Sequence, residues 1–130
     1  MKIKITLLIA QISKNKHVLD DEYFKIYLLN KSFPSRFITT KNETETLKEL
    51  YEPCLNIDFA WLKMDIGDFR ICTNNNNERI GEVVYITYIP EILGCIKTGG
   101  FFSEKQIKEE NIQIEDFYER IFARKGKFII

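Results

Sequence analysis

Glycine is absent from the first 66 residues of this 130-residue chain. A loop that lays its backbone against a diphosphate relies on glycine for close approach, so no phosphate-cradling loop is recognisable there. Cysteine is sparse and scattered. Cys54, Cys72 and Cys95 form no C-x-x-C pair, which argues against a disulfide framework and a structural zinc site and leaves reduced, mostly buried thiols. His17 is the one histidine. Set among Lys14, Lys16 and Asp20 it reads as a loop residue, and no serine or cysteine stands in a nucleophile motif, so His-dependent catalysis has no support. Charge of one sign is not in surplus either. Lys plus Arg and Asp plus Glu both number 19, whereas nucleic-acid readers carry a basic excess or stripe. The small cluster Arg124, Lys125 and Lys127 reads as a solvated end. The apolar run from Ile5 to Ile12, interrupted by Thr6 and Gln11, falls far short of the ~20 residues that span a bilayer. No signal-peptide cleavage pattern follows it. A soluble, cytoplasmic chain with no membrane role is expected.

What is present is an ordinary globular composition, 45% hydrophobic and 29% charged, sized for a single domain over residues 1–130. Residues 2–12 alternate in the manner of a buried strand, with Ile3, Ile5, Leu7 and Ile9 on one side. A polar connector over 13–22 leads to a second strand at 23–29, and a short β-branched and aromatic run at 36–40 follows Pro34. The period then changes. Leu47, Leu50, Tyr51 and Cys54 recur at helical spacing, and Asn42 with Glu45 makes a capping box in its Asn variant. Glu43 and Glu45 suit the positive end of the helix dipole, and Pro53 marks the helix end. Strand patterning returns loosely at 59–69, with Gly67 and Asp68 as a bulge or bend. The asparagine run 74–77 predicts a hairpin loop. Residues 81–90, GEVVYITYIP, make the strongest strand, expected to be central. A final strand is expected at 101–107. An amphipathic helix is expected at 115–124, with Ile114, Phe117, Tyr118, Ile121 and Phe122 on one face. Strands followed by a helix, more strands and a second helix predict a mixed sheet between two helices.

Four stretches in this order resemble the Nudix hydrolase superfamily, and its ADP-ribose-processing branch in particular. KITLLIA with YFKIYLLNKSFPSRF is similar to its opening strands and the Phe-Pro-x-Arg phrase before its catalytic loop. NETETLKELYE is similar to the Nudix helix, and WLKMDIGDFRICTNNNNERIGEVVYITYIP to the long hairpin after it. IEDFYERIF stands where the closing helix does. The resemblance implies an α/β/α sandwich (α/β, or α+β, in class) around a mixed central sheet. The family box needs a glycine, an upstream glutamate and then Arg-Glu-apolar-x-Glu-Glu-x-Gly. Setting Lys48 at its arginine places Glu49, Leu50 and Glu52 in register. Pro53 then falls on the second paired glutamate, Leu55 on the glycine and Asn56 on the last apolar position. Counting backward at fixed spacing puts Pro34 at the opening glycine and Thr40 at the upstream glutamate, whereas aligning on FPSRF implies a loop shortened by several residues. The box is incomplete.

The family chemistry is hydrolysis of a diphosphate with Mg²⁺, which neutralises charge, orients the attacking water and demands octahedral oxygen ligands. Glu49 and Glu52, three apart on a helix, lie on neighbouring surface positions and are the metal-ligand candidates of a hydrolase reading. Asp65, Asp68 or Glu82 would complete that site. A solvated acidic face balanced by Lys48 is the plainer reading. The expected function is therefore a non-catalytic Nudix-like domain, without a cofactor, that binds a protein partner as an assembly, adaptor or inhibitor component. The alternatives are a divergent Mg-dependent hydrolase of an ADP-ribose-like nucleoside diphosphate derivative and a nucleotide sensor using the same cleft. The wealth of Lys, Ile and Asn indicates a low-GC genome. A virus is one such source, which would place the chain in host cytoplasm or virion.

Overall fold

The computed structural model describes residues 1–39, 42–114 and 122. Its organising element is strand β1 (Lys2–Ile12), in which every residue from Ile5 onward is buried. A strand covered on both faces favours an apolar run over strict alternation, which explains why Leu8 and Ala10 alternate with Leu7 and Ile9. Strand β5 (Arg79–Pro90) runs parallel to β1 along its whole length, from Lys2 opposite Ile80 to Ile12 opposite Pro90. The other side of β1 is divided. Strand β3 (Ser35–Phe37) pairs antiparallel with Lys4 to Thr6, and β2 (Phe24–Leu28) pairs antiparallel with Ala10 to Ile12. Beyond β2 lies β6 (Gly100–Ser103), and beyond β5 lies β4 (Asp65–Thr73), both antiparallel to their neighbours. The result is a six-stranded mixed sheet in the order β4-β5-β1-β2-β6, with β3 on β1. β5 is interior, as the 81–90 segment led one to expect.

Each face of the sheet carries one core. Ile5, Leu7 and Ile9 project toward helix α1 (Glu43–Tyr51) and pack with its Leu47, Leu50 and Tyr51 and with Cys54 and Leu55. Leu8, Ala10 and Ile12 project the other way, onto Phe24, Ile26, Ile112, Phe122 and Ile107 of helix α2 (Glu104–Glu109). This is an α/β/α sandwich with a mixed sheet, as expected.

Several local readings need correction. The stretch expected as loose strand over 59–69 begins with a 3₁₀ turn, Phe59–Trp61, which Asp58 caps by accepting from the Ala60 amide at 3.0 Å. Only from Asp65 does it pair. Gly67 forms the expected bulge, between Ile66 opposite Tyr85 and Asp68 opposite Val84, and a side chain there would collide with Ile86. The strand expected over 101–107 stops at Ser103. Ser103 accepts from the Gln106 amide while the Gln106 side chain accepts from the Ser103 amide, a reciprocal capping box that starts α2. The helix expected at 115–124 lies outside the described residues apart from Phe122, whose ring meets Phe24 edge-on with centroids 5.5 Å apart. The asparagine run is the β4–β5 hairpin turn. Asn74 Oδ1 accepts from the Asn76 and Glu78 amides at 2.9 and 3.0 Å, and Asn77 takes the left-handed conformation, φ 59°.

Candidate functional site

Helix α1 carries the residues singled out from the sequence. It starts at Asn42, whose side chain accepts from the Glu45 amide at 2.8 Å. Its buried stripe is Thr46, Leu47, Leu50 and Tyr51, which turns Lys48 and Glu52 to solvent and leaves Glu49 half-buried at the flank. Glu49 faces β3. Arg36, paired with Ile5 on β1, projects toward α1 and places Nη1 3.3 Å from Glu49 Oε2. Glu52 pairs with Lys48 one turn back, Oε1 to Nζ at 3.8 Å, both well exposed, a contact worth little by itself. Near the helix N-terminus the Tyr85 hydroxyl of β5 donates to Glu43. Burial, together with the hydrogen bond to Glu43 and its charge, pushes the Tyr85 phenol well above its ordinary value.

The end of α1 is strapped down. Glu52 caps the helix with its backbone, and Pro53 follows at once. The Asn56 amide donates to the Cys95 carbonyl at 2.7 Å, the Lys97 amide to Cys54 at 2.9 Å, and Thr98 Oγ1 to the Pro53 carbonyl at 2.9 Å. Lys97 Nζ reaches the Glu52 carbonyl at 3.0 Å, and Leu55 forms a β-bridge with Ile96. Leu55 and Cys54 are core residues. Burial raises the Cys54 and Cys95 thiols above the usual range. Pro53 and the packed Leu55 stand at the two positions that the resemblance sets against the glutamate and the glycine of the box.

The carboxylates considered as a third ligand do not converge on α1. Glu82 is 2% exposed and belongs to the opposite face of the sheet, with Lys4 and Thr6. Its Oε2 accepts from Thr6 Oγ1 at 2.6 Å and lies 3.2 Å from Lys4 Nζ, while Oε1 meets Arg70 Nε at 2.6 Å. Burial by itself would raise this carboxyl. The hydrogen bonds from Thr6 and Arg70 and the charges of Lys4 and Arg70 outweigh it and hold the group below its ordinary value. Asp68 accepts from the Phe69 amide at 2.9 Å, and Asp65 is exposed on β4, opposite Ile86. Among the described residues no three His, Cys, Asp or Glu side chains lie together in a way that would hold a metal ion. Glu49 and Glu52, each facing a cation, are a poor fit to the Mg²⁺ ligand set that the family box implies.

The Glu82 cluster was not anticipated as a structural centre. Its trace in the sequence is a lone carboxylate inside the apolar run of β5, with Lys4 and Arg70 in the strands on either side. A cavity of about 120 Å³ lies beside it, lined in part by Lys4, Thr6, Ser32, Ser35 and Gln113. No helix among the described residues is long and apolar enough to cross a membrane.

No protein-family model matches this sequence, and no curated protein matches it. The fold, by contrast, has many relatives among solved structures. A Nudix hydrolase of M. smegmatis, RenU, superposes with a TM-score of 0.63 at 8% identity, over 98% of this chain and 87% of that one. A C. elegans Ap4A hydrolase in binary complex gives 0.61 at 10% identity, over 98% and 97%. The C-terminal domain of mouse MUTYH, in complex with human PCNA, gives 0.58 at 10% identity, over 98% and 88%. The chain has a Nudix-like fold.

Proposed function

We propose that this chain is a non-catalytic Nudix-like domain that works by binding a protein partner, in an assembly, adaptor or inhibitor role. The observation that carries the reading is the use made of the box positions. Glu49 faces Arg36, Glu52 faces Lys48, and Leu55 is packed where the box has glycine. Phosphoryl chemistry of this kind depends on a metal held in fixed geometry, and one or two carboxylates already paired with cations supply little of it. Trp61 and Leu93 stand exposed on the surface, and large apolar side chains of this kind anchor protein interfaces. The MUTYH domain of similar fold, which stands in a complex with PCNA, is consistent with such use of the frame.

The competing reading, an Mg-dependent hydrolase of a nucleoside diphosphate derivative, requires Arg36 to release Glu49 and a further ligand to arrive. The experiment that separates the two is incubation with excess Mg²⁺ or Mn²⁺ and ADP-ribose, a dinucleoside polyphosphate or nucleoside triphosphates. No turnover is expected above a background that Glu52→Gln leaves unchanged. Hydrolysis abolished by both Glu49→Gln and Glu52→Gln would replace the binding reading with the enzymatic one. Saturable nucleotide binding without turnover would make the domain a sensor.

A further inference from the structure

Gln11 is the anomaly of β1. It is 8% exposed, on the side of the strand that Ile5, Leu7 and Ile9 turn toward α1, yet its carboxamide hydrogen-bonds to no other group among the described residues. Its neighbours across the ladders, Lys25 and Ile89, offer nothing, since the Lys25 ammonium is held by Glu22 and Ile89 is apolar. The amide is not sealed in. Among the described residues Thr87 Oγ1 is the one side-chain polar atom both sealed and without a partner. The Gln11 amide therefore keeps an opening, and the space it lines is a cavity of about 590 Å³ at the end of the sheet. A largely buried amide without a partner costs stability, and leucine would fill this place without that cost.

The loop after β5 builds much of the remaining wall. Ile92, Leu93 and Ile96 are exposed, Leu93 to 94%, and Phe101 of β6 adds a ring packed edge-on against Tyr27, centroids 5.7 Å apart. The loop is pinned at both ends. The Glu91 amide donates to the Ile12 carbonyl at 3.2 Å, and Asn56 Nδ2 donates to the Gly94 carbonyl at 3.3 Å, next to the Leu55–Ile96 bridge. Its apolar side chains are thus held out in water by a fixed backbone. At the rim, Glu91 accepts from Ser13 Oγ at 2.9 Å and Lys25 pairs with Glu22. Lys16 is the lining cation that has no ion pair among the described residues.

These features select the occupant. A carboxamide presents a donor and an acceptor side by side. The N–H and C=O of one residue in an extended chain point the same way, as in the hydrogen-bonded pairs of an antiparallel ladder, and answer both at once. The apolar side chains of such a chain meet Ile92, Leu93, Ile96 and Phe101, and a carboxylate is drawn to Lys16. A small molecule is enclosed by its site, whereas these walls stand open and continue onto the surface at Leu93. We infer that this groove binds an extended apolar peptide segment of a protein partner, with Gln11 holding the backbone of one residue and Lys16 a carboxylate. The inference rests on the reading of the chain as a partner-binding domain and names the surface and the kind of segment. No residue of α1 lines the groove.

A display library of random short peptides, selected on the full chain, tests it. The retained sequences are expected to join large apolar residues to an Asp or Glu. In fluorescence titrations of these peptides, Gln11→Leu and Leu93→Asp are each expected to weaken binding by more than about tenfold. Lys16→Glu should weaken it as well, and Phe69→Lys, on β4, should bind like wild type. Gln11→Leu should unfold no earlier than wild type, because it removes an amide without a partner, so its lost binding is not a lost fold. In NMR spectra of nitrogen-15-labelled chain, the side-chain NH₂ signals of Gln11 should move on addition of peptide. A library that yields no binder overturns the inference. So do peptides that bind Gln11→Leu as they bind wild type, or that leave the Gln11 signals in place. Peptides that bind elsewhere on the chain would overturn the groove and leave the partner-binding reading standing. Hydrolysis lost in both Glu49→Gln and Glu52→Gln would overturn that reading instead, with the groove still decided by the peptide titrations.

Discussion

Thr6 Oγ1 donates to Glu82 Oε2 at 2.6 Å across the parallel β1–β5 pair. This contact lies at the heart of the sheet, and Arg70 reaches the same carboxylate from β4. Three strands therefore meet on one buried charge. Glu82→Ala should lower stability by about 1–3 kcal/mol, the cost of unmade hydrogen bonds to a charged group. The larger losses seen for fully buried pairs are not expected, because Lys4 and Arg70 retain partial access to water. Thr6→Val should cost less than Glu82→Ala. Urea unfolding of the two variants provides the comparison.

The same carboxylate sets a pH dependence. Folding holds Glu82 below its ordinary value of 4.5, so on acidification the unfolded chain takes up this proton first. Stability from this group is complete above the ordinary value and is lost as pH falls through the lower folded value. Glu82→Gln should flatten the acid limb of a plot of denaturation midpoint against pH. An unchanged limb would mean that other carboxylates account for it.

Asn42 caps α1 through the Glu45 amide. Asn42→Ala should cost about 1 kcal/mol, read as a lower denaturation midpoint. Leu50, buried between α1 and β1, should cost more when cut to alanine, about 2–5 kcal/mol.

Thiol labelling gives a third kind of check. Cys72 is exposed, whereas Cys54 and Cys95 are buried, and burial raises the thiols of the latter two. At neutral pH iodoacetamide should modify the folded chain at Cys72 and all three cysteines after denaturation. Mass spectrometry of the two samples, and rapid labelling at Cys54 in the folded one, would decide the matter.

The parts of the fold visible in the sequence are those fixed by local periodicity. α1, the asparagine turn, the bulge at Gly67 and the 81–90 strand could all be read from side-chain spacing and turn chemistry. α2 could not, because β6 and α2 share the apolar run Phe101, Phe102 and Ile107, and the Ser103–Gln106 capping signal lies inside it. The branching of β1, which pairs with β3 at one end and β2 at the other, is a long-range fact that no local pattern carries. At the site, the helical placement of Glu49 and Glu52 was legible, but the approach of Arg36 was not, since it depends on β3 lying against β1. Glu82 was a ligand candidate on charge alone. Strand parity places it on the far side of the sheet, and that parity is known only once the register is.

The strap between the end of α1 and residues 95–98 bears on how freely position 55 can change. Leu55 fills the core at the position that the resemblance sets against the glycine of a Nudix box, and its neighbours are bonded to the strap. Glycine at this position would open a cavity, with a penalty of at least the ~2–5 kcal/mol of a buried leucine truncation. That is a large share of the ~5–15 kcal/mol by which domains are stable. A chain with glycine there would spend a larger fraction of its time unfolded. Position 55 is a clasp: the core closes over the leucine and the strap holds the residues on either side of it.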